Sequence, residues 1–286
     1  ERKFINVFGK NIFNWQGDLG DHKIISSQNY IYMIAILKGG RRPGVFRFKN
    51  DLSFDKGPQF IGIDNFKKEA HLDMGFGSDG KNIYAQFFYK KGERPNQWGA
   101  SIYKLNAEMK KGGHNIVLPE KGSFVTGTSI VYVPKGQMGK TSDEMQIFST
   151  NLDYRNPRPV GIHTFSVDLN LNLVSGSTRD IVTEKLDVTF PTGPSWNKKH
   201  QLWIVGYTME KKRGNLGHGR ETGPSYIRIF SKDFKALQTI ALNHKKDAFR
   251  VMTATKGDDI YVVYDEMDKD GRTQNCFAKI EHFQIK

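Results

Sequence analysis

Short runs that alternate apolar and polar residues follow one another along the chain, separated by Gly, Asn, Asp and Pro, and no 3.6-residue periodicity is sustained. The pattern predicts an all-β chain. One strand type recurs, centred on an aromatic residue in four of its copies: Tyr30-Ile31-Tyr32-Met33-Ile34, Ile83-Tyr84-Ala85-Gln86-Phe87, Met145-Gln146-Ile147-Phe148, Leu202-Trp203-Ile204-Val205 and Ile260-Tyr261-Val262-Val263. With Tyr32, Tyr84, Gln146, Trp203 and Tyr261 as markers, the steps are 52, 62, 57 and 58 residues. A second strand follows each marker, at Val45-Phe46-Arg47-Phe48, Ile102-Tyr103-Lys104-Leu105, Thr164-Phe165-Ser166-Val167, Ile227-Arg228-Ile229-Phe230 and Phe277-Ala278-Lys279-Ile280. Polar turns close four of these: Asn50-Asp51, Asn106-Ala107, Asp168-Leu169 and Ser231-Lys232. Five repeats of this length, each with room for about four strands, predict a five-bladed β-propeller.

The expected blades are 21–61, 73–118, 126–182, 190–242 and 249–286, in one domain, each running from an inner strand outward. The last repeat reaches Lys286 before a fourth strand, while residues 3–8, Lys-Phe-Ile-Asn-Val-Phe, form a strand pattern ahead of blade 1. The expectation is that residues 3–8 supply that strand and close the ring, because proteins avoid leaving a sheet edge unpaired.

Composition narrows the class. The 286 residues are 37% apolar, and no run of about 18 apolar residues exists to span a bilayer. A single cysteine, Cys276, makes neither an internal disulfide nor a metal cluster. P-loop, HExxH and GxSxG patterns are absent, so no cofactor or metal is expected. The net charge of +13, with a pI near 9.6, favours polyanionic partners such as acidic glycans. Nucleic acid fits that charge too, but no compact basic block marks it. The fold, and a start that reads as trimmed at Glu1-Arg2-Lys3-Phe4, set the expectation of an exported protein, periplasmic or extracellular.

Inner strands of a propeller line its central channel, and ligands gather at the channel mouth. Counting eleven residues back from a marker gives one register: Asp21, Asp73, Thr192 and Arg250. Blade 3 has a longer hairpin, and strand order puts its equivalent at Thr128. Asp21 and Asp73 therefore open adjacent inner strands, flanked by His22 and His71, with Arg250 as the cation in the same ring. Buried carboxylates need such a partner. The second-to-third-strand loops are basic in four blades: Lys38, Arg41 and Arg42; Lys90, Lys91 and Arg94; Arg155 and Arg158; Lys211, Lys212, Arg213 and Arg220. Blade 5 is acidic there, with Asp265, Glu266, Asp268 and Asp270. Trp15 and Trp98 fall on the same face, and aromatic platforms suit sugar rings or bases.

This register resembles the five-bladed glycosidases of the arabinanase and invertase type. The resemblance implies that Asp21 is the base or nucleophile and that Asp73 tunes the pKa of an acid. It also implies a general-acid glutamate in blade 3, which Val125-Thr126-Gly127-Thr128-Ser129-Ile130 does not contain; Glu120 and Glu144 are off register. Ser78-Asp79-Gly80-Lys81-Asn82 resembles a sialidase-type Asp-box but occurs once, without the aromatic ending, and reads as an ordinary hairpin turn.

The expected function is carbohydrate binding at the channel mouth, with an anionic glycan as ligand. Two alternatives remain: a glycoside hydrolase using Asp21 and Asp73, and a protein-interaction or polyanion-binding platform. A second carboxyl about 5–10 Å from Asp21 would mark the hydrolase. The oligomeric state is not set by the sequence.

Overall fold

A computed structural model describes residues 22–27, 29–36, 43–62, 69–90, 98–117, 124–153, 158–182, 188–189, 194–210, 222–243, 247–267 and 277–285. These residues form strands and turns, with one short 3-10 turn at Gln137–Gly139. Blade 1 holds β1 (His22–Ser26), β2 (Tyr30–Ile36), β3 (Pro43–Lys49) and β4 (Phe54–Phe60). Blade 2 holds β5 (Glu69–Ser78), β6 (Asn82–Lys90), β7 (Trp98–Asn106) and β8 (Lys111–Val117). Blade 3 holds β9 (Phe124–Val133), β10 (Glu144–Asp153), β11 (Arg158–Asp168) and β12 (Arg179–Val182). In blade 4 the inner strand is split into β13 (Val188–Thr189) and β14 (Ser195–Asn197), which both pair with β15 (Leu202–Glu210). β16 (Thr222–Ser231) and β17 (Ala236–Ala241) complete it. Blade 5 has three strands among the described residues, β18 (Asp247–Lys256), β19 (Asp259–Met267) and β20 (Phe277–Gln284). All pairings are antiparallel and sequential, the up-and-down order of propeller blades. Residues 3–8 lie outside the described residues.

Two-residue periodicity gives every strand two faces, and four cores are built where the faces of neighbouring blades meet. Ile83, Ala85 and Phe87 of β6 pack with Tyr32, Ile34 and Val45 of blade 1. Tyr84 points the other way, joining Ile130, Ile147 and Phe165 of blade 3. Phe148 and Ile162 meet Trp203 and Tyr207 in the next core, and Ile204 and Ile227 meet Val251 and Val262 in the fourth. Tyr32 and Tyr84 thus look toward the following blade, but Trp203 looks back at blade 3. Ile204 holds the forward position, so the aromatic marker is one residue out of step in blade 4.

Close approach between blades is made at glycines. A Cβ on Gly77 would lie 2.1 Å from the Ile130 carbonyl oxygen, and one on Gly206 would lie 2.5 Å from that of Val251. Gly77→Ala must therefore push β5 away from β9. We expect a loss of about 2 kcal/mol, in the range of overpacked cores, measured by urea denaturation. An unchanged midpoint would show that the two strands do not touch there.

The polar turns after the third strands share one conformation. Leu52, Met109, Leu171 and Phe234 each have positive φ, between 60° and 69°. Each donates its N–H to the carbonyl three residues back, at Lys49, Asn106, Asp168 and Ser231. Met109 is buried in the core between blades 1 and 2, and Leu171 in that between blades 2 and 3. Phe234 lies against Trp203 and Phe148, with ring centroids 5.5 and 5.9 Å away. At Met109, Leu171 and Phe234 the left-handed backbone, unfavourable for such side chains, is held in place by the burial it allows. Cations of the preceding blade cap these turns. Arg47 Nη1 donates to the Ala107 carbonyl at 2.5 Å, Lys104 Nζ to that of Leu169 at 2.8 Å, and Arg179 Nη1 to that of Asp233 at 3.0 Å.

The Ser78–Asn82 turn is organised by its aspartate. Asp79 accepts the N–H groups of Lys81 and Asn82, the Asn82 amide and the Tyr84 hydroxyl. Burial alone would raise its pKa, but these hydrogen bonds outweigh burial and hold it below the usual carboxylate range. Asp79 is thus a structural anion that ties the hairpin to buried Tyr84.

Candidate functional site

Inner strands start, second strands end and third strands start on one face of the ring, the mouth face. At that face the ladders break. In blade 2, Ala70 pairs with Phe88 but the next pair is Gly75 with Gln86, so residues 71–74 form a bulge that contains His71 and Asp73. In blade 3, Ser129 pairs with Phe148 and Gly127 with Ser149, leaving Thr128 as the extra residue. In blade 5, Phe249 pairs with Asp265 and Met252 with Val263, so the bulge falls at Arg250 and Val251. In blade 4, Thr189 pairs with Thr208 and Ser195 with Ile204, and Thr192 lies in the interruption, outside the described residues. In blade 1 the ladder starts at His22, paired with Ala35. Bulges interrupt pairing and re-aim side chains, and they gather beside active sites.

The register expected at Asp73, Thr128 and Arg250 therefore coincides with a backbone irregularity in each strand. The blade 3 position also follows from loop length. Its hairpin connection, 134–143, is ten residues against three (79–81) in blade 2, and Thr128 is 18 residues before Gln146, seven more than eleven. His22, His71, Asp73, Thr128 and Arg250 are placed here by their backbones. Trp98 opens β7 at the mouth face. Asp21, Trp15, Arg41, Arg42, Lys211 and Lys212 lie outside the described residues, as does Glu120.

Glu144 is excluded as a mouth acid. It begins β10, at the end away from the mouth, is buried, and pairs with Lys140 at 2.6 Å. Other carboxylates that the register passes over do reach the mouth face by backbone position: Glu69 at the start of β5, Asp153 at the end of β10 and Glu210 at the end of β15.

A buried polar layer lies just beneath the breaks. Gln86, paired with Gly75, is fully buried, and neither atom of its amide group has a hydrogen-bond partner among the described residues. Ser149, paired with Gly127, is buried in the same way. Thr208 and Ser225 of blade 4 bond to each other at 3.0 Å, and His163 Nδ1 lies 2.6 Å from Asp180. Sequence reading missed this layer. Its one signal is Gln86, a polar residue inside the marker strand Ile83-Tyr84-Ala85-Gln86-Phe87. No group of three or more His, Cys, Asp or Glu among the described residues could hold a metal ion.

No protein-family model matches the chain, and no curated protein does. Solved structures match its shape. A protein assigned as an exo-β-1,3-galactanase from Bifidobacterium bifidum s17 superposes with a TM-score of 0.54 at 8% identity, over 94% of this chain and 89% of that one. A glycosyl hydrolase from Bacteroides ovatus gives 0.51 at 8% identity, over 93% and 84%. A levansucrase variant from B. subtilis gives 0.50 at 11% identity, over 100% and 88%.

Proposed function

We infer that this five-bladed β-propeller, whose architecture is shared with levansucrases and glycosyl hydrolases, is a carbohydrate-binding protein with its site at the channel mouth, built around Asp21, Asp73 and Arg250. The observation that carries this reading is the alignment of ladder breaks at Asp73, Thr128 and Arg250. Three inner strands give up backbone pairing at one level, a cost that makes sense where side chains must serve something other than the sheet. Asp21 and Asp73 would accept sugar hydroxyls. Thr128, Thr192, His22 and His71 would add shorter polar contacts, and Trp15 and Trp98 would supply ring platforms.

The ligand in this reading is an anionic glycan, drawn by basic loops around a net charge of +13. Exposed charges more than a Debye length apart, about 8–10 Å near physiological ionic strength, are screened. Affinity for an acidic polysaccharide should therefore fall as salt is raised. Changing Arg41, Arg42, Lys211 and Lys212 to glutamate should weaken it further and flatten the salt dependence. Calorimetry at low and high salt checks both; equal affinities would leave the charge with a solubilising role only.

Hydrolysis is the second reading, favoured by structural neighbours that are glycosyl hydrolases by name. It needs an acid besides Asp21 and Asp73, and Asp153 and Glu210 stand at strand ends on the same face. A glycan array run beside chromogenic glycosides tests the two readings together. Binding without turnover supports the first and turnover the second. Neither result would return the molecule to the interaction-platform reading. An exported location fits a glycan ligand, and no helix among the described residues is long and apolar enough to cross a membrane.

A further inference from the structure

Buried polar side chains in this ring bond to one another. Thr208 and Ser225 pair at 3.0 Å in blade 4, Ser101 and His114 at 2.9 Å in blade 2, and His163 and Asp180 at 2.6 Å in blade 3. Gln86 departs from this rule. It is fully buried, and among the described residues it alone leaves both atoms of its polar group, Nε2 and Oε1, without a hydrogen bond. Ser149, also fully buried, leaves its hydroxyl unbonded. Such groups destabilise a fold, and in a native chain they point to a partner that the fold itself does not provide.

Both side chains face the seam between blades 2 and 3. Gln86 alternates with Tyr84 along β6 and Ser149 with Ile147 along β10, and Tyr84 and Ile147 belong to the core of that seam. The amide lies against the inner strands. A Cβ on Gly75 would be 2.8 Å from Gln86 Oε1 and 3.4 Å from Ile130 Cγ1, so the amide uses space that only a glycine leaves, between β5 and β9. Gly75 is the first residue of β5 back in the ladder after the 71–74 bulge, and Ser149 pairs with Gly127 across from the Thr128 break. The two unbonded groups therefore adjoin the breaks that hold Asp73 and Thr128, on the second strands, one step out from the channel. Their opposing inner-strand residues, Gly75 and Gly127, carry no side chain.

We propose that this seam is an inward extension of the mouth site, which takes two adjacent hydroxyls of an uncharged sugar unit, with Gln86 as the specificity-determining residue and Ser149 beside it. The proposal rests on the carbohydrate reading and adds which part of the ligand is read here. A primary amide offers donors and an acceptor side by side, and a serine hydroxyl offers one donor and two acceptor positions. Hydroxyls on neighbouring sugar carbons both donate and accept, so they satisfy both atoms of the amide. A carboxylate or sulfate only accepts, and would leave Oε1 unbonded. Neither Gln86 nor Ser149 carries a charge to offset an anion taken out of water. The negative groups of the glycan thus stay at the basic rim loops, and an uncharged unit enters the seam.

Gln86→Met tests this, because it keeps the length of the side chain and removes the amide. Without ligand, its melting temperature by calorimetry should equal or exceed that of the parent, since no bond of the fold is lost. Binding is read by NMR on the Gln86 side-chain amide, assigned by its absence in Gln86→Met. The probes are methyl β-galactoside, methyl β-glucoside and methyl β-fructofuranoside, with sodium sulfate as the anion. At least one glycoside should shift the Gln86 signals, and sulfate should not. Affinity for that glycoside should fall about tenfold or more in Gln86→Met, and also in Ser149→Ala. Gly75→Ala, whose added Cβ moves the amide without removing it, should weaken the same glycoside. A Gln86→Met protein that melts clearly below the parent would show that the amide serves the fold, and would overturn the proposal. So would Gln86 signals that answer to sulfate and not to the glycosides. Glycosides that shift the Trp98 indole signal and leave Gln86 unmoved would remove the seam from the site while the mouth reading stands. If no glycoside shifts either signal, the mouth reading fails and the seam fails with it.

Discussion

Asp73→Asn and Asp21→Asn should each weaken glycan binding by about ten- to a hundredfold while leaving the melting temperature within about a degree of the parent, the loss expected when a charged acceptor becomes a neutral one. Asp73 lies in the 71–74 bulge, where β5 has left its ladder with β6. Its backbone contributes no rung there, and the substitution keeps size and shape. Stability therefore has little to lose, and a ligand has much. If the chain hydrolyses its glycan, turnover should fall more steeply than affinity, by about 10²–10⁴ for a group that moves a proton in the transition state. A structural role gives the opposite signature: a large drop in melting temperature with affinity per folded molecule unchanged. Asp79→Asn is the internal control. Asp79 holds a turn at the opposite face through hydrogen bonds to Lys81, Asn82 and Tyr84, so its variant should melt earlier and bind normally. Neutral results for both Asp21→Asn and Asp73→Asn would remove the axial carboxylates from the site.

The contrast between Asp73 and Asp79 shows what a sequence can and cannot carry. Blades were legible because burial imposes period two on every strand, and five repeats of that pattern add up where one strand is ambiguous. Turn positions were legible from Asn50-Asp51, Asn106-Ala107, Asp168-Leu169 and Ser231-Lys232. The inserted apolar residue two or three places later was not. Met109, Leu171 and Phe234 sit at positive φ, where sequence rules expect glycine or asparagine, and tertiary burial overrides them. Bulges were invisible for a different reason. An extra residue in a strand has no composition of its own, so Asp73 and Arg250 could be singled out only by counting from the markers, and Thr128 only by strand order. Breaks in the ladders lie at those positions in blades 2, 3 and 5. Neither route reaches Gln86 and Ser149, which lie beside the breaks on the neighbouring strands and carry no repeat signal. The one-residue offset at Trp203 has a similar origin, since an aromatic residue suits either face of a fully buried strand and Ile204 takes the forward one.

Removing residues 1–8 should lower stability by about 4 kcal/mol or more. Four apolar side chains, Phe4, Ile5, Val7 and Phe8, alternate around Asn6 in the strand pattern of 3–8. Each would contribute about 1.5–3 kcal/mol if fully buried, and partial burial and chain ordering bring the sum down. The receiving edge is β20. It pairs with β19 on one side, and blade 5 has three strands among the described residues where blades 1, 2 and 3 have four. An unpaired edge strand invites pairing with other chains, so the shortened protein should also aggregate at concentrations where the parent stays monodisperse. A synthetic peptide of residues 1–10, added in trans, should restore part of the lost melting temperature, because it binds only the folded ring and shifts the equilibrium by mass action. A shortened protein that melts with the parent would show that residues 3–8 are not the closing strand, and the edge of β20 would then have to be covered in some other way.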